Sequence, residues 1–300
     1  AIYGDDHAYA RTVEYETLDA ISLDDLRAFY RQYFTPERSI LGIIGDFDRA
    51  QMRSLAETYL GDWQPYPEAI ALDNADVLPV VTPVQQGTIA IADQAQLTQS
   101  SVLMGHLGGQ LDDEDYAALS VLNGVLNGFG GRLFNEVRSR QGLAYTVYAA
   151  WSARYDYPGL FVAGGQTQTE TTASFIQAIR AELERLQSAP ISADELAYAK
   201  DSTLNSFVFN FQDPSQTLAR LLRYDYYGYP EDFIFRYQDA IEAVTAADVL
   251  RVARDRLKPE ELVTVVVGNA SAIEPELAAL NPNTRIQRID LDSPAIARRS

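Results

Sequence analysis

The sequence predicts an α+β fold: duplicated two-layer domains, each with helices on one face of a mainly antiparallel sheet, the first of them truncated. Three observations predict it. The 300-residue chain matches itself once, at an offset of 223. Ala20 to Asp46 realigns without a gap on Ala243 to Asn269, so that Ser22 falls on Thr245, Asp25 on Asp248, Pro36 on Pro259 and Gly45 on Gly268. Both copies spell a hydroxyl N-cap, an amphipathic helix, a proline turn and an apolar strand closed by glycine. A single repeat this long marks a duplicated domain rather than a solenoid. Beyond residue 86, strand patterns come first, then several helices, then one closing strand, which is the order of a sheet with helices layered on it. A hydrophobic content of 47% then supplies core for one domain of about 200 residues plus part of another.

Residues 1–62 read as the C-terminal part of the first domain. After Ser22 the helix carries Leu23, Leu26, Phe29, Tyr30 and Tyr33 on one face, and RSILGIIG that follows reads as a buried strand. A second helix, RAQMRSLAETYL, ends at Gly61. If both copies end alike, the first is expected to begin about 140 residues before Ala1. Residues 63–86 hold Pro65, Pro67, Pro79 and Pro83 with little periodicity and read as a linker.

Residues 87–270 read as a complete second domain. GTIAIAD and SSVLMGHLG are strands, Asp112 to Asn127 is a helix, and a GFGG turn leads into the short helix RLFNEVRSR. Two strands follow, AYTVYAAWSARY and GLFVAGGQT. Helices come next at Thr171 to Gln187, Ala193 to Phe211, Pro214 to Tyr227, Glu231 to Ala243 and Ala246 to Leu257, before the closing strand ELVTVVVG. Ser192 with Glu195 three residues on is a capping box. Residues 271–300 read as a tail with no legible chemistry.

Charge and composition exclude several functions. The formal net charge is -18, and only Lys200 and Lys258 among 24 basic residues are lysines. Such a surface repels nucleic acid and anionic membrane and attracts basic peptides. No stretch approaches eighteen apolar residues, so nothing reads as membrane-spanning. The absence of cysteine removes disulfides and thiolate metal sites. GFGGR lacks the lysine and hydroxyl residue of a phosphate loop, and no G-x-S-x-G elbow occurs. The acidic run at 111–116 is explained by a helix N-terminus, and the tyrosine-rich 223–230 by packing at a helix end.

The sharpest local constellation lies in GFGGRLFNEVRSRQGLAYTVY. Gly130 and Gly131 allow close backbone approach and fall before a short helix. Arg138 and Tyr145 stand seven residues apart across a turn, where a guanidinium and a phenol together can hold a peptide carbonyl and its developing oxyanion. The residues alone leave a second reading open, in which Arg138 pairs with a carboxylate such as Glu136 or Asp156 and Tyr145 packs in the core.

This stretch, with GHLGGQLDDEDYAALSVLNGVLNG before it and SADELAYAKDSTLNSFVFNF after it, resembles the second domain of the pitrilysin/insulinase family of zinc metallopeptidases. Residues 7 to 62 resemble the end of that family's first domain, with HAYA in place of HPYG. RSRQGLAY matches the family's arginine-tyrosine motif. The resemblance implies that Arg138 and Tyr145 bind the substrate backbone and polarise the scissile carbonyl, and that Gly130 and Gly131 line the peptide path. It implies an enzyme that encloses unfolded peptides, and a homo- or heterodimer with a pitrilysin-like subunit as partner.

The family's zinc motif, H-x-x-E-H, is missing from the sequence. The only histidines are His7 and His106, and neither is assigned to a metal; His106 reads as a satisfied strand histidine. Zinc is therefore expected in the full-length protein or in a partner subunit, and this chain alone is expected to be inactive. The alternative is a non-catalytic peptide-binding or scaffold subunit. The expected compartment is extracytoplasmic, in a bacterial periplasm.

Overall fold

The computed structural model describes residues 2–4, 7–11, 13–70, 87–281 and 284–289. Along the chain these form α1 (Tyr15–Ala20), α2 (Leu23–Tyr33), α3 (Arg49–Leu60), β1 (Thr88–Asp93), β2 (Gln99–Leu107) and α4 (Tyr116–Leu126). A π-helix (Leu133–Arg140), β3 (Thr146–Ser152), β4 (Leu160–Gln168), α5 (Thr172–Ser188) and α6 (Ala193–Val208) come next. Then follow α7 (Pro214–Tyr226), α8 (Phe233–Ala243), α9 (Ala246–Arg256), β5 (Val263–Gly268), α10 (Ala270–Ala278) and β6 (Arg285–Ile289).

Among the described residues, those up to 10, from 87 to 208 and from 232 to 289 form one compact unit. Those from 11 to 70 and from 209 to 231 form another. Most of the linker expected at 63–86 lies outside the described residues, as does the end of the tail.

The larger unit holds one six-stranded sheet in the order β3-β4-β2-β5-β1-β6. β2 runs antiparallel to β4 and β5, and β3 to β4, while β1 is parallel to both β5 and β6. The α+β architecture with a mainly antiparallel sheet is thus as expected. β5 has two strand neighbours, and no residue of VTVVVG is exposed on either face, which is why valine dominates it. Along β2, burial alternates: Val102 and Met104 are buried while Ser101 and Leu103 are exposed, so one face takes the helices. Leu119, Leu122 and Leu126 of α4, Phe175, Ile179 and Leu183 of α5 and Val252 of α9 meet Ile91, Phe161 and Val266 of the sheet. Each such side chain contributes about 1.5–3 kcal/mol on burial.

Residues 271–289, read from sequence as tail, continue α10 and add β6 to the sheet edge beside β1. Residues 2–10, read with the first domain, belong to the larger unit: the Tyr3 hydroxyl donates to Pro158 O at 2.9 Å, and His7 stacks on Tyr3 and packs against Tyr157.

The two repeat copies are alike at atomic detail. Asp25 Oδ2 accepts from the Ser22 amide at 2.8 Å and its hydroxyl at 2.6 Å; Asp248 Oδ2 accepts from the Thr245 amide at 2.9 Å and its hydroxyl at 2.6 Å. Each helix is then followed by a proline-led turn, Pro36–Arg38 and Pro259–Glu261.

The likeness stops at the strand. RSILGIIG, expected to be a buried strand, is non-helical chain without a strand partner among the described residues, and Ile40, Leu41, Ile43 and Ile44 are exposed. Its counterpart β5 takes its ladder from β2 on one side and β1 on the other. A strand exists only through neighbours, and within the smaller unit residue 42 instead approaches Leu218 and Leu222 of α7.

Candidate functional site

Arg138 and Tyr145 come together where the π-helix reverses into β3. The helix is wound one residue wider than an α-helix, the Gln141 amide reaching Glu136 O five residues back at 3.1 Å. Such insertions concentrate at functional positions. Gly142, at φ +65°, then takes a backbone conformation closed to most side chains, and the Thr167 hydroxyl holds Leu143 O at 2.6 Å. The Tyr145 amide donates to Gln166 O at 3.2 Å, which places it at the head of the strand.

The Arg138 guanidinium is 4.8 Å from the ring centre of Phe134, one turn back, and 5.7 Å from that of Tyr145. Tyr145 is 74% exposed. Neither contact of the alternative reading occurs. Glu136 is occupied by Arg140 at 2.8 Å and Arg185 at 4.0 Å, and Asp156 accepts from the Tyr9 hydroxyl. Arg138 forms no ion pair with the described residues, so both polar ends face solvent. Phe134 was not singled out from sequence; its signal was its position four residues before Arg138, on the same side of a helix.

The glycines have a packing reason of their own. A Cβ on Gly130 would lie 2.7 Å from the Tyr198 ring, and one on Gly131 would clash with Asn127 O. The Gly130 amide donates to the Tyr198 hydroxyl at 3.0 Å. Three residues earlier on α6, Glu195 takes a forked contact from Arg132, Nε at 2.7 Å and Nη2 at 3.4 Å. The Arg132 hydrogen bond, helped by the Ser192 amide and opposed by partial burial, holds the Glu195 carboxyl down at about 2. Through Glu195 and Tyr198, α6 therefore fixes both the glycine turn and the start of the π-helix.

The outer edge of β3 is closed by α4. Asn127 Nδ2 donates to Ala149 O at 2.7 Å and Asn127 Oδ1 accepts from the Ala149 amide at 2.9 Å, while Asn123 Oδ1 accepts from the Trp151 amide at 3.3 Å. A side-chain amide thus stands in for a neighbouring strand and blunts the edge.

The residues described do not fit a zinc ion. His106 is 4% exposed; its Nε2 accepts from the Lys258 amide at 3.1 Å, so the proton sits on Nδ1, which donates to Leu107 O at 2.7 Å. His7 Nδ1 accepts from the Tyr9 amide. No group of three potential ligands gathers among the described residues. The acidic run has a structural role beyond the helix end: Asp113 and Asp115 pair with Arg256 at 2.6 and 2.8 Å, and Asp115 with Arg251 at 2.7 Å, tying α4 to α9.

The model of the peptidase M16 inactive domain matches residues 20–203. The chain belongs to this family. Among relatives of the M16 inactive-domain chain, an uncharacterized zinc protease of Streptomyces coelicolor is 26% identical over 87% of this chain and 57% of its own length. A Bacillus subtilis protein named "Probable inactive metalloprotease" is 24% identical over 79% of the chain and 54% of its own length. The chain spans about half the length of the curated relatives it matches. The crystal structure of a peptidase M16 inactive domain from Pseudomonas fluorescens superposes with a TM-score of 0.74 at 23% identity, over 89% of this chain and 63% of that one. A protease structure from Helicobacter pylori gives 0.67 at 20% identity, over 84% and 60%. These superpositions establish the fold. No helix among the described residues is long and apolar enough to cross a membrane.

Proposed function

We propose that this chain is the substrate-holding, non-hydrolytic part of a pitrilysin-type metallopeptidase that acts on unfolded peptides. The observation that carries the reading is the side-by-side placement of an unpaired guanidinium, Arg138, and an exposed phenol, Tyr145, on backbone locked at both ends of the reversal. Both are hydrogen-bond donors without an acceptor among the described residues. Aimed at one peptide carbonyl, they hold it in the ground state and bind it more strongly as negative charge develops on oxygen. Because α6 and α4 fix the frame, little reorganisation accompanies binding. The zinc and the residues that hold it would come from another part of the full-length protein or from a paired pitrilysin-like subunit. The net charge of -18 favours basic peptides as substrates. A periplasmic location belongs to the same reading.

Titrating the chain with a fluorescent, unfolded basic peptide tests it. Arg138→Gln makes the protein still more acidic, so attraction by bulk charge alone would tighten binding. At least tenfold weaker binding by R138Q and Y145F at unchanged Tm supports the reading, and unchanged or tighter binding refutes it.

A second reading, a peptide-binding or scaffold subunit with no hydrolytic partner, is favoured by the relative named as an inactive metalloprotease. Full-length protein that binds the peptide with zinc present, yet never cleaves it, would establish that second reading.

A further inference from the structure

α5 borders a cleft of about 640 Å³ that is lined also by the start of β1 and by the turns that precede β5 and β6. It has apolar walls, from buried Ile89 and Ile176 and from Leu280, and two exposed carboxylates, Glu184 and Glu260. Into it comes Arg180. The Nε of Arg180 is buried and has no hydrogen-bond partner, and the side chain forms no ion pair with a described carboxylate, Glu184 one turn on included. Two other half-buried arginines of the larger unit are matched: Arg132 by Glu195 at 2.7 Å, Arg256 by Asp113 at 2.6 Å.

Arg180 is half-buried and keeps its proton, so its charge favours an anion beside it. With no described carboxylate paired to it, a carboxylate brought into the cleft would supply that partner at its terminal nitrogens. Burial disfavours the charged form of Arg180, with Glu184 opposing that effect from a distance. The volume suits a small organic molecule.

We infer that this cleft binds a short peptide, or an amino-acid-like zwitterion, by its free carboxylate. The carboxylate sits on Arg180, the apolar body lies against Ile176 and Leu280, and the cationic end faces Glu184 and Glu260. A simple anion is disfavoured by the two carboxylates, and a purely apolar ligand leaves Arg180 unmatched. The site shares no residue with Arg138 and Tyr145 and does not rest on their role.

Calorimetric titration with lysyl-leucine and with its C-terminal amide tests the inference. The free acid is expected to saturate one site, with the amide at least tenfold weaker, the difference of a charge-assisted contact. Arg180→Gln should weaken the free acid equally, Arg138→Gln should not, and R180Q should melt at the same temperature or higher because a half-buried charge with no described carboxylate beside it has gone. No binding of the free acid, equal binding of acid and amide, or binding indifferent to R180Q would overturn it. So would a fall of several degrees in the Tm of R180Q, which would make Arg180 a structural residue.

Discussion

The guanidinium of Arg138 lies 5.7 Å from the ring centre of Tyr145, across a reversal from π-helix to strand, and neither side chain has a hydrogen-bond or ion-pair partner among the described residues. Their mutual stacking is worth about 0.5–1 kcal/mol at an exposed site, too little to explain the placement as a stability device. Arg138→Gln and Tyr145→Phe are therefore each expected to move stability by no more than about 1 kcal/mol, checked by chemical denaturation. A loss above about 2 kcal/mol would assign the pair to the fold.

The forked contact between Arg132 and Glu195 predicts acid sensitivity. The Glu195 carboxyl is at about 2 when folded, against an ordinary 4.5. A depressed acid contributes stability that is complete above the unfolded value and is lost as pH falls towards the folded one. Melting curves should thus show a loss between about pH 4.5 and 2 that is absent in E195Q, itself less stable at pH 7 by about 1 kcal/mol after solvent screening. Coincident acid profiles for wild type and E195Q would contradict this.

His106 predicts a second, higher window. Burial lowers its pKa from 6.5, with the bond to Leu107 O opposing that shift. The unfolded chain then binds a proton that the native one refuses, so stability falls as pH drops below about 6.5. H106N should flatten the denaturation midpoint between pH 7 and 5; an unchanged slope would place the sensitivity elsewhere.

Asn127 is the guard of the β3 edge. Asn127→Ala removes both contacts to Ala149 and leaves its amide and carbonyl open. The expected cost is about 1–3 kcal/mol, with self-association that rises with concentration in analytical ultracentrifugation. A monomer as stable as wild type would show that the edge needs no cover.

The duplicated capping boxes predict a matched pair of effects. Ser22→Ala and Thr245→Ala should each reduce stability by about 1 kcal/mol, since each frees one helix-end donor in the same position, the Asp25 or the Asp248 amide. A difference larger than about 1 kcal/mol between them would separate the two copies energetically.

Much of this was legible in the chain because it is local. Ser22 with Asp25, Thr245 with Asp248 and Ser192 with Glu195 announce helix starts through atoms three residues apart. The runs TIAIAD, SSVLMGHL and VTVVVG announce strands through their own side chains. The strand order, β6, and the closure of β3 by Asn127 involve residues tens to hundreds of positions apart, and no local pattern encodes them.

RSILGIIG marks the boundary most sharply. Its residues carry the same strand propensity as its repeat copy at Val263–Gly268, yet only the copy is laddered, because a β-strand is completed by hydrogen bonds to other segments. Local pattern yields most of the helices and strand candidates and leaves the arginine-tyrosine pairing as one of two readings. Packing in three dimensions settles that Glu136 is taken by Arg140 and Arg185, and that Arg138 and Arg180 meet no carboxylate among the described residues. Which charge neutralises which depends on distances in space, and those are set by packing rather than by order along the chain.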